Sequence, residues 1–188
     1  MRNLNIPNLL TILRLLLAPA AVWTILSSNY RGALALFAIA AFTDAVDGPL
    51  ARRLNCITRF GAYLDPIADK ALLCASYLAL GAAHLAPWWL VGLIFGRDLA
   101  ILALAGAALL LTDYREFPPS QWGKISTIVQ AVAGLAIIFG QAFPILAMPA
   151  APLFWAAAAA TLWSGITYFW RAFRMGTLAL RGGPKAAR

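Results

Sequence analysis

The stretch 43–70, TDAVDGPLARRLNCITRFGAYLDPIADK, decides how the whole chain is read. It holds Asp44, Asp47, Asp65 and Asp69, four of the seven acidic residues in 188, on segments otherwise apolar enough to lie in a membrane. A carboxylate at the centre of a bilayer costs at least about 2.5 kcal/mol, so such groups are kept for function and usually meet a cation. Four of them on neighbouring segments point to a site for divalent metal.

The composition around that stretch agrees. Only 12% of the residues are charged and 62% are hydrophobic, whereas a soluble domain carries about a quarter charged residues. Apolar segments run over roughly 9–28, 32–50, 61–82, 87–111, 124–143 and 150–170. Each approaches the ~20 residues that an α-helix needs to cross a bilayer. The expected fold is all-α: a polytopic integral membrane protein with six transmembrane helices and an N-terminal amphipathic segment. A soluble all-α domain with an oversized core is the alternative, and the hydropathy disfavours it. The first apolar run extends past a short h-region and lacks a small-residue cleavage site, so no cleavable signal peptide is expected. One domain is expected over 1–175, followed by a basic, flexible tail over 176–188.

The net charge of +8 has the look of a nucleic-acid signature. The basic residues lie on loops and the tail instead, so no nucleic-acid partner is expected. Arg52, Arg53 and Arg59 fall between the second and third segments, Arg115 and Lys124 between the fourth and fifth, and Arg171, Arg174, Arg181, Lys185 and Arg188 after the sixth. The loops at 83–86 and 144–149 carry no Lys or Arg, and the loop at 29–31 carries only Arg31. The positive-inside rule then sets both termini, and the cytoplasmic ends of the aspartate-bearing helices, on the cytoplasmic side of a multi-pass protein of the inner membrane. Trp88 and Trp89 at the start of the fourth segment, and Trp163, Tyr168 and Trp170 in the last, read as interfacial anchors. Cys56 and Cys74 are the two cysteines, and they suggest neither a disulfide framework nor a zinc site.

On a helix, residues three or four apart share a face. Asp44 and Asp47 form one such pair and Asp65 and Asp69 another, so an antiparallel hairpin can bring the pairs together. Carboxylate oxygens are the ligands that Mg²⁺ and Mn²⁺ prefer, and two such ions balance four negative charges. Two ions held by aspartates commonly clamp a phosphate or diphosphate during a displacement. Gly48 and Gly61 would let a bulky group approach the backbone, and Arg52 at the cytoplasmic edge can meet a phosphate bidentately. Other readings stand beside this one. Asp65 before Pro66 could be a helix cap, the arginines could be topology anchors, and paired carboxylates could serve a cation or proton transporter. A transporter usually holds its site between repeated halves, and no internal repeat is evident.

Asp44, Asp47, Gly48, Ala51, Arg52, Gly61, Asp65 and Asp69 spell D-x-x-D-G-x-x-A-R-x8-G-x3-D-x3-D. This resembles the signature of the CDP-alcohol phosphotransferases at every fixed position. The opening NIPNLLTILRLLLAP and the later GRD and PSQWGKISTIVQ segments are similar to phosphatidylglycerophosphate synthases and to cardiolipin synthases of mitochondrial type. Pro49 departs from the family's usual bulky apolar residue. It is expected to break the last turn of the second span and re-aim Arg52.

The resemblance implies transfer of a phosphatidyl group from CDP-diacylglycerol to an alcohol, with release of CMP and no covalent intermediate. By position, Asp44, Asp47, Asp65 and Asp69 would bind two divalent ions, Mg²⁺ or Mn²⁺, with Asp69 also the general base. Gly48, Arg52 and Thr58 would contact the CDP moiety, with Gly61 beside it and Asn8 and Thr11 closing over it. A homodimer through the small-residue faces of spans three and four is implied as well. An anionic acceptor needs further cations, and Lys124, Arg97, Arg115 and Arg14 are the candidates. For Arg97 and Asp98 the alternative is an ion pair between themselves or with Lys70; Lys124 could merely snorkel. Glycerol 3-phosphate is the favoured acceptor and phosphatidylglycerol the alternative. His84, the one histidine, falls in a predicted outer loop and is not expected to act as base.

Overall fold

In the computed structural model the backbone is described for residues 6–53, 59–111 and 121–181, and side chains for 12–43, 68–103 and 121–170. Among these described residues six α-helices and one short 3-10 turn follow in order: α1 (Ile6–Leu26), α2 (Tyr30–Arg53), α3 (Arg59–Ala82), α4 (Trp88–Leu111), α5 (Gln121–Ala142), the turn Pro144–Leu146, and α6 (Ala150–Arg181). There is no strand among the described residues. Each apolar segment of the sequence thus coincides with one helix. Among the described residues, α5 is the helix both long and apolar enough to cross a bilayer, and shorter apolar stretches cover Ile12–Leu26 and Tyr30–Thr43.

Two boundaries differ from expectation. Pro49 does not end the second helix, because α2 runs on to Arg53. Proline removes one backbone bond and crowds the carbonyl four residues back, a local loss that neighbouring packing in membrane helices can absorb. The last helix continues well past 170, to Arg181. At 32 residues it spans about 48 Å, longer than a hydrocarbon core of about 30 Å.

The chain forms two compact units, Met1–Pro87 with Gly134–Ala150, and Trp88–Ala133 with Ala151–Arg188. In the first, α1 packs against both α2 and α3. The buried stripe of α1 is Arg14, Leu17, Ala18, Ala21 and Ile25, the three-and-four spacing of one helix face. Leu17, Ala18 and Ala21 meet Ala40 of α2 and Leu72 of α3, with Leu36, Phe37 and Ala75 packed around them. Alanines at the contact allow close approach of the backbones. The α1–α2 connection is fixed by Asn29, whose Oδ1 accepts a 3.0 Å bond from the Gly32 N–H, an N-cap for α2. At the far end of α3, His84 takes a positive φ of 57° while its N–H donates to the Gly81 carbonyl, closing the helix in the left-handed conformation typical of such ends.

In the second unit polar side chains are buried beside apolar ones such as Leu90, Val91, Ile94 and Ala157. Ser126, Gln130, Thr161, Ser164 and Arg97 are all buried. Gln130 Nε2 donates to Thr161 Oγ1 at 2.8 Å, and Thr161 Oγ1 donates to the Ala157 carbonyl at 2.6 Å. Side-chain hydrogen bonds of this kind join helices where apolar packing alone gives little preference. Outward from both units project Trp23, Phe42, Leu99, Leu102, Trp155 and Trp170, among other large apolar side chains.

Candidate active site

The candidate site falls on the second half of α2 and the first half of α3. Helix α2 buries Ala33, Ala40 and Thr43, and helical register carries that stripe onto positions 44 and 47. Asp44 and Asp47, three residues apart, therefore share one face of α2. Asp65 lies six residues inside α3, which begins at Arg59, too deep for a helix cap. Gly48 and Arg52 lie on α2 and Gly61 on α3; Asn8 and Thr11 lie on the first turns of α1. The side chains of all these residues fall outside the described residues, as do Thr58 and Arg115 altogether.

Asp69 is described in full. It borders the buried stripe of α3, which runs through Ala68, Leu72, Leu73, Ser76 and Tyr77. Its Oδ1 accepts a 2.6 Å bond from Arg14 Nη1, 55 residues away on α1. The pair is lopsided: the Arg14 side chain is 1% exposed and that of Asp69 49%. The guanidinium is sunk into the core while the carboxylate opens outward. Arg14, a candidate acceptor contact from sequence, is thus held against the candidate base. Its position in an otherwise apolar stripe is the signal that could have foretold this, since a buried cation needs an acid within reach. His84 lies about 22 Å further along α3 at 1.5 Å per residue, exposed at the helix end.

The described candidate cations of the second unit lie differently. Arg97 Nη1 donates to Asp98 Oδ1 at 2.7 Å, with side chains 6% and 13% exposed. Its Nη2 donates to Ser164 Oγ of α6, and its guanidinium carbon stands 5.8 Å from the centre of the Tyr168 ring. Gly123 is required opposite: a Cβ there would come within 2.9 Å of Tyr168 Oη and 3.4 Å of Arg97 Nη2. The geometry favours the ion-pair reading of Arg97 and Asp98. Lys124 is exposed in the first turn of α5.

As a donor set, four aspartates in two helical pairs supply only hard oxygen ligands, which suits Mg²⁺ or Mn²⁺ rather than a thiolate-seeking ion. Among the described residues no three metal-ligating side chains gather, three of the four aspartates having side chains outside that set.

Comparison with known proteins agrees with the signature on α2 and α3. Residues 4–164 match the family model for CDP-alcohol phosphatidyltransferase. The chain is 37% identical to the "Probable phosphatidylglycerophosphate synthase" of Mycobacterium tuberculosis over 92% of its own length and 84% of that protein's. It is 35% identical to the "CDP-diacylglycerol--glycerol-3-phosphate 3-phosphatidyltransferase" of Bacillus subtilis, covering 90% of this chain and 97% of that one. A "Putative cardiolipin synthase" of Mycobacterium bovis is 32% identical over 90% of this chain and 79% of its own. The chain belongs to the CDP-alcohol phosphatidyltransferase family. It is a phosphatidyltransferase of phospholipid biosynthesis.

Proposed function

We propose that the protein transfers the phosphatidyl group of CDP-diacylglycerol to the hydroxyl of glycerol 3-phosphate, releasing CMP and forming phosphatidylglycerophosphate. The observation that carries this reading is the complete D-x-x-D-G-x-x-A-R-x8-G-x3-D-x3-D signature on α2 and α3, in a chain whose relatives with near full-length matches bear that reaction in their names. The relative named as a cardiolipin synthase supports phosphatidylglycerol as the second acceptor to test.

In this reading one membrane domain over 1–175 crosses the cytoplasmic membrane six times, with both termini inside and the aspartates opening to the cytoplasm. The exposed tryptophans and leucines face lipid, the substrates' acyl chains stay between helices, and the basic tail over 176–188 rests on anionic headgroups at about 1 kcal/mol per nearby charge. A homodimer is part of the proposal. Gly48, Arg52 and Thr58 bind the cytidine diphosphate, helped by Asn8, Thr11 and Gly61. Asp44, Asp47, Asp65 and Asp69 hold two Mg²⁺ or Mn²⁺ ions. When bound, these ions supply charge neutralisation at the diphosphate.

Asp69 takes the proton of the acceptor hydroxyl, which its half-exposed position at the rim permits. The acceptor oxygen forms a bond to the phosphorus bearing diacylglycerol, the bond from that phosphorus to the CMP oxygen breaks, and the electron pair leaves with CMP. Arg52 meets the phosphate oxygens as the negative charge shifts.

The test is CMP release by the purified protein with CDP-diacylglycerol and Mg²⁺ or Mn²⁺, offered glycerol 3-phosphate and phosphatidylglycerol separately. Release that requires glycerol 3-phosphate is expected. Release only with phosphatidylglycerol would transfer the assignment to cardiolipin synthesis, and no release from folded protein with either would overturn both.

A further inference from the structure

We infer that Arg14 is a positioning residue for Asp69: a core-anchored guanidinium that fixes the reactive carboxylate in one orientation. The inference rests on the reading of Asp69 as base and metal ligand. It deepens that reading by assigning a role to a residue of α1 outside the aspartate signature.

The pair does not serve packing alone. Helix α1 is already joined to α2 and α3 through Leu17, Ala18, Ala21, Ala40 and Leu72, and an apolar side chain at position 14 would continue that stripe. Replacing a buried ion pair with apolar residues is often neutral or stabilising, so a charge sunk to 1% exposure asks for another reason. The asymmetry supplies it. A ligand arriving from outside cannot reach a guanidinium so enclosed, which removes Arg14 from direct acceptor binding, but it can reach a carboxylate that is 49% exposed.

The aspartate turns about two side-chain bonds, and a half-exposed one would sample several rotamers. The 2.6 Å bond to Oδ1 comes from a donor whose stem is gripped by the core, so it selects one of them. A planar guanidinium is suited to fixing a carboxylate's plane, where an ammonium supplies only a point charge. Its permanent positive charge also offsets one of the four negative charges of the cluster.

Positioning and metal affinity then pull in opposite directions. A cation bonded to a metal ligand opposes the arrival of another cation. Losing Arg14 should ease metal binding while spoiling the geometry of proton transfer, whereas loss of a merely structural tie would weaken both.

The experiment compares full-length Arg14→Gln, Arg14→Lys and Asp69→Asn with the wild type. Activity is measured at saturating Mn²⁺, and Mn²⁺ binding separately by the electron paramagnetic resonance signal of the free ion. For Arg14→Gln, kcat is expected to fall about tenfold to hundredfold, the scale of a small misplacement. Both KM values should stay within about twofold, with Mn²⁺ bound as tightly as in the wild type or severalfold more tightly. Arg14→Lys should be intermediate in kcat. A wild-type kcat in Arg14→Gln would overturn the inference, as would a raised glycerol 3-phosphate KM at unchanged kcat, or Mn²⁺ binding lost together with activity. If Arg14→Gln does not fold, Arg14→Lys decides: a lowered kcat at unchanged KM supports positioning, and wild-type kcat refutes it. Asp69→Asn separates the two layers. An active Asp69→Asn removes the reading of the site itself, while an inactive one beside a fully active Arg14→Gln removes only the role of Arg14.

Discussion

Replacing Asp98 with alanine should destabilise the protein more than any other single change among the buried polar residues of the second unit. Arg97 and Asp98 have side chains 6% and 13% exposed and lie 2.7 Å apart, so water screens the pair little. Removing the carboxylate leaves a buried guanidinium short of its counter-charge, a loss of about 3–5 kcal/mol. The Ser164 hydroxyl and the Tyr168 ring remain against Arg97. They are present before and after the change, so they do not reduce the difference. Ser164→Ala, by contrast, removes one hydrogen bond to a charged donor, about 1.5–3 kcal/mol. At roughly 2–4 °C per kcal/mol for a chain of this size, Asp98→Ala should lower Tm by about 6–20 °C and Ser164→Ala by less. The assay is thermal unfolding of the purified protein in detergent, followed by circular dichroism, with glycerol 3-phosphate KM measured well below the transition. A Tm within about 2 °C of wild type, together with a raised acceptor KM, would refute the reasoning and return Arg97 to acceptor binding.

Asp69→Asn should lower kcat by about 10²–10⁴, the range for loss of a general base, and should also lower Tm, because the buried Arg14 keeps an oxygen to donate to but loses its counter-charge; CMP release and thermal unfolding measure the two effects separately. Chelation of divalent ions should abolish CMP release, and either Mg²⁺ or Mn²⁺ should restore it. Gly123→Ala should cost about 1–3 kcal/mol by overpacking, read as a lowered Tm, because the new Cβ would stand 2.9 Å from Tyr168 Oη. Tyr168→Phe in that background should recover part of the loss by removing the crowding atom.

Much of the fold is legible in the sequence because apolar length and the breaks between apolar runs dictate where the helices start and stop. The break at 27–30 coincides with the Asn29 cap, and the one at 83–87 with the left-handed His84. Pro49 misleads for a physical reason. Sequence rules treat proline as a helix breaker from its lost bond and its ring clash, but a helix can lose one bond and continue, as α2 does to Arg53. The extension of α6 to Arg181 escapes the hydropathy criterion because helix formation goes on after apolarity ends. Of the candidate site, the helices that carry the aspartates are readable from the three-and-four spacing. The partner of Asp69 is not, because a contact across 55 residues leaves no local trace beyond a lone arginine in an apolar stripe.

Among the described residues, two arginine–aspartate pairs lie in apolar helices, and in the sequence they look alike. Both put charges where hydrocarbon disfavours them, and both satisfy the requirement that a buried charge be met. Exposure tells them apart. Asp98 is 13% exposed and bonded to its own neighbour in sequence, Arg97, which in turn meets Ser164 and Tyr168 of α6. With both charges shut away, breaking that pair should register in stability. Asp69 is 49% exposed and bonded to a cation that is itself 1% exposed, so one member of the pair is fixed and the other presented. A carboxylate that must meet metal and accept a proton has to be reachable and also held still, and only the second arrangement provides both. Exposure depends on which helix faces pack together, which is why the proposed catalytic role of one pair and the structural role of the other separate only once α1 is laid against α3.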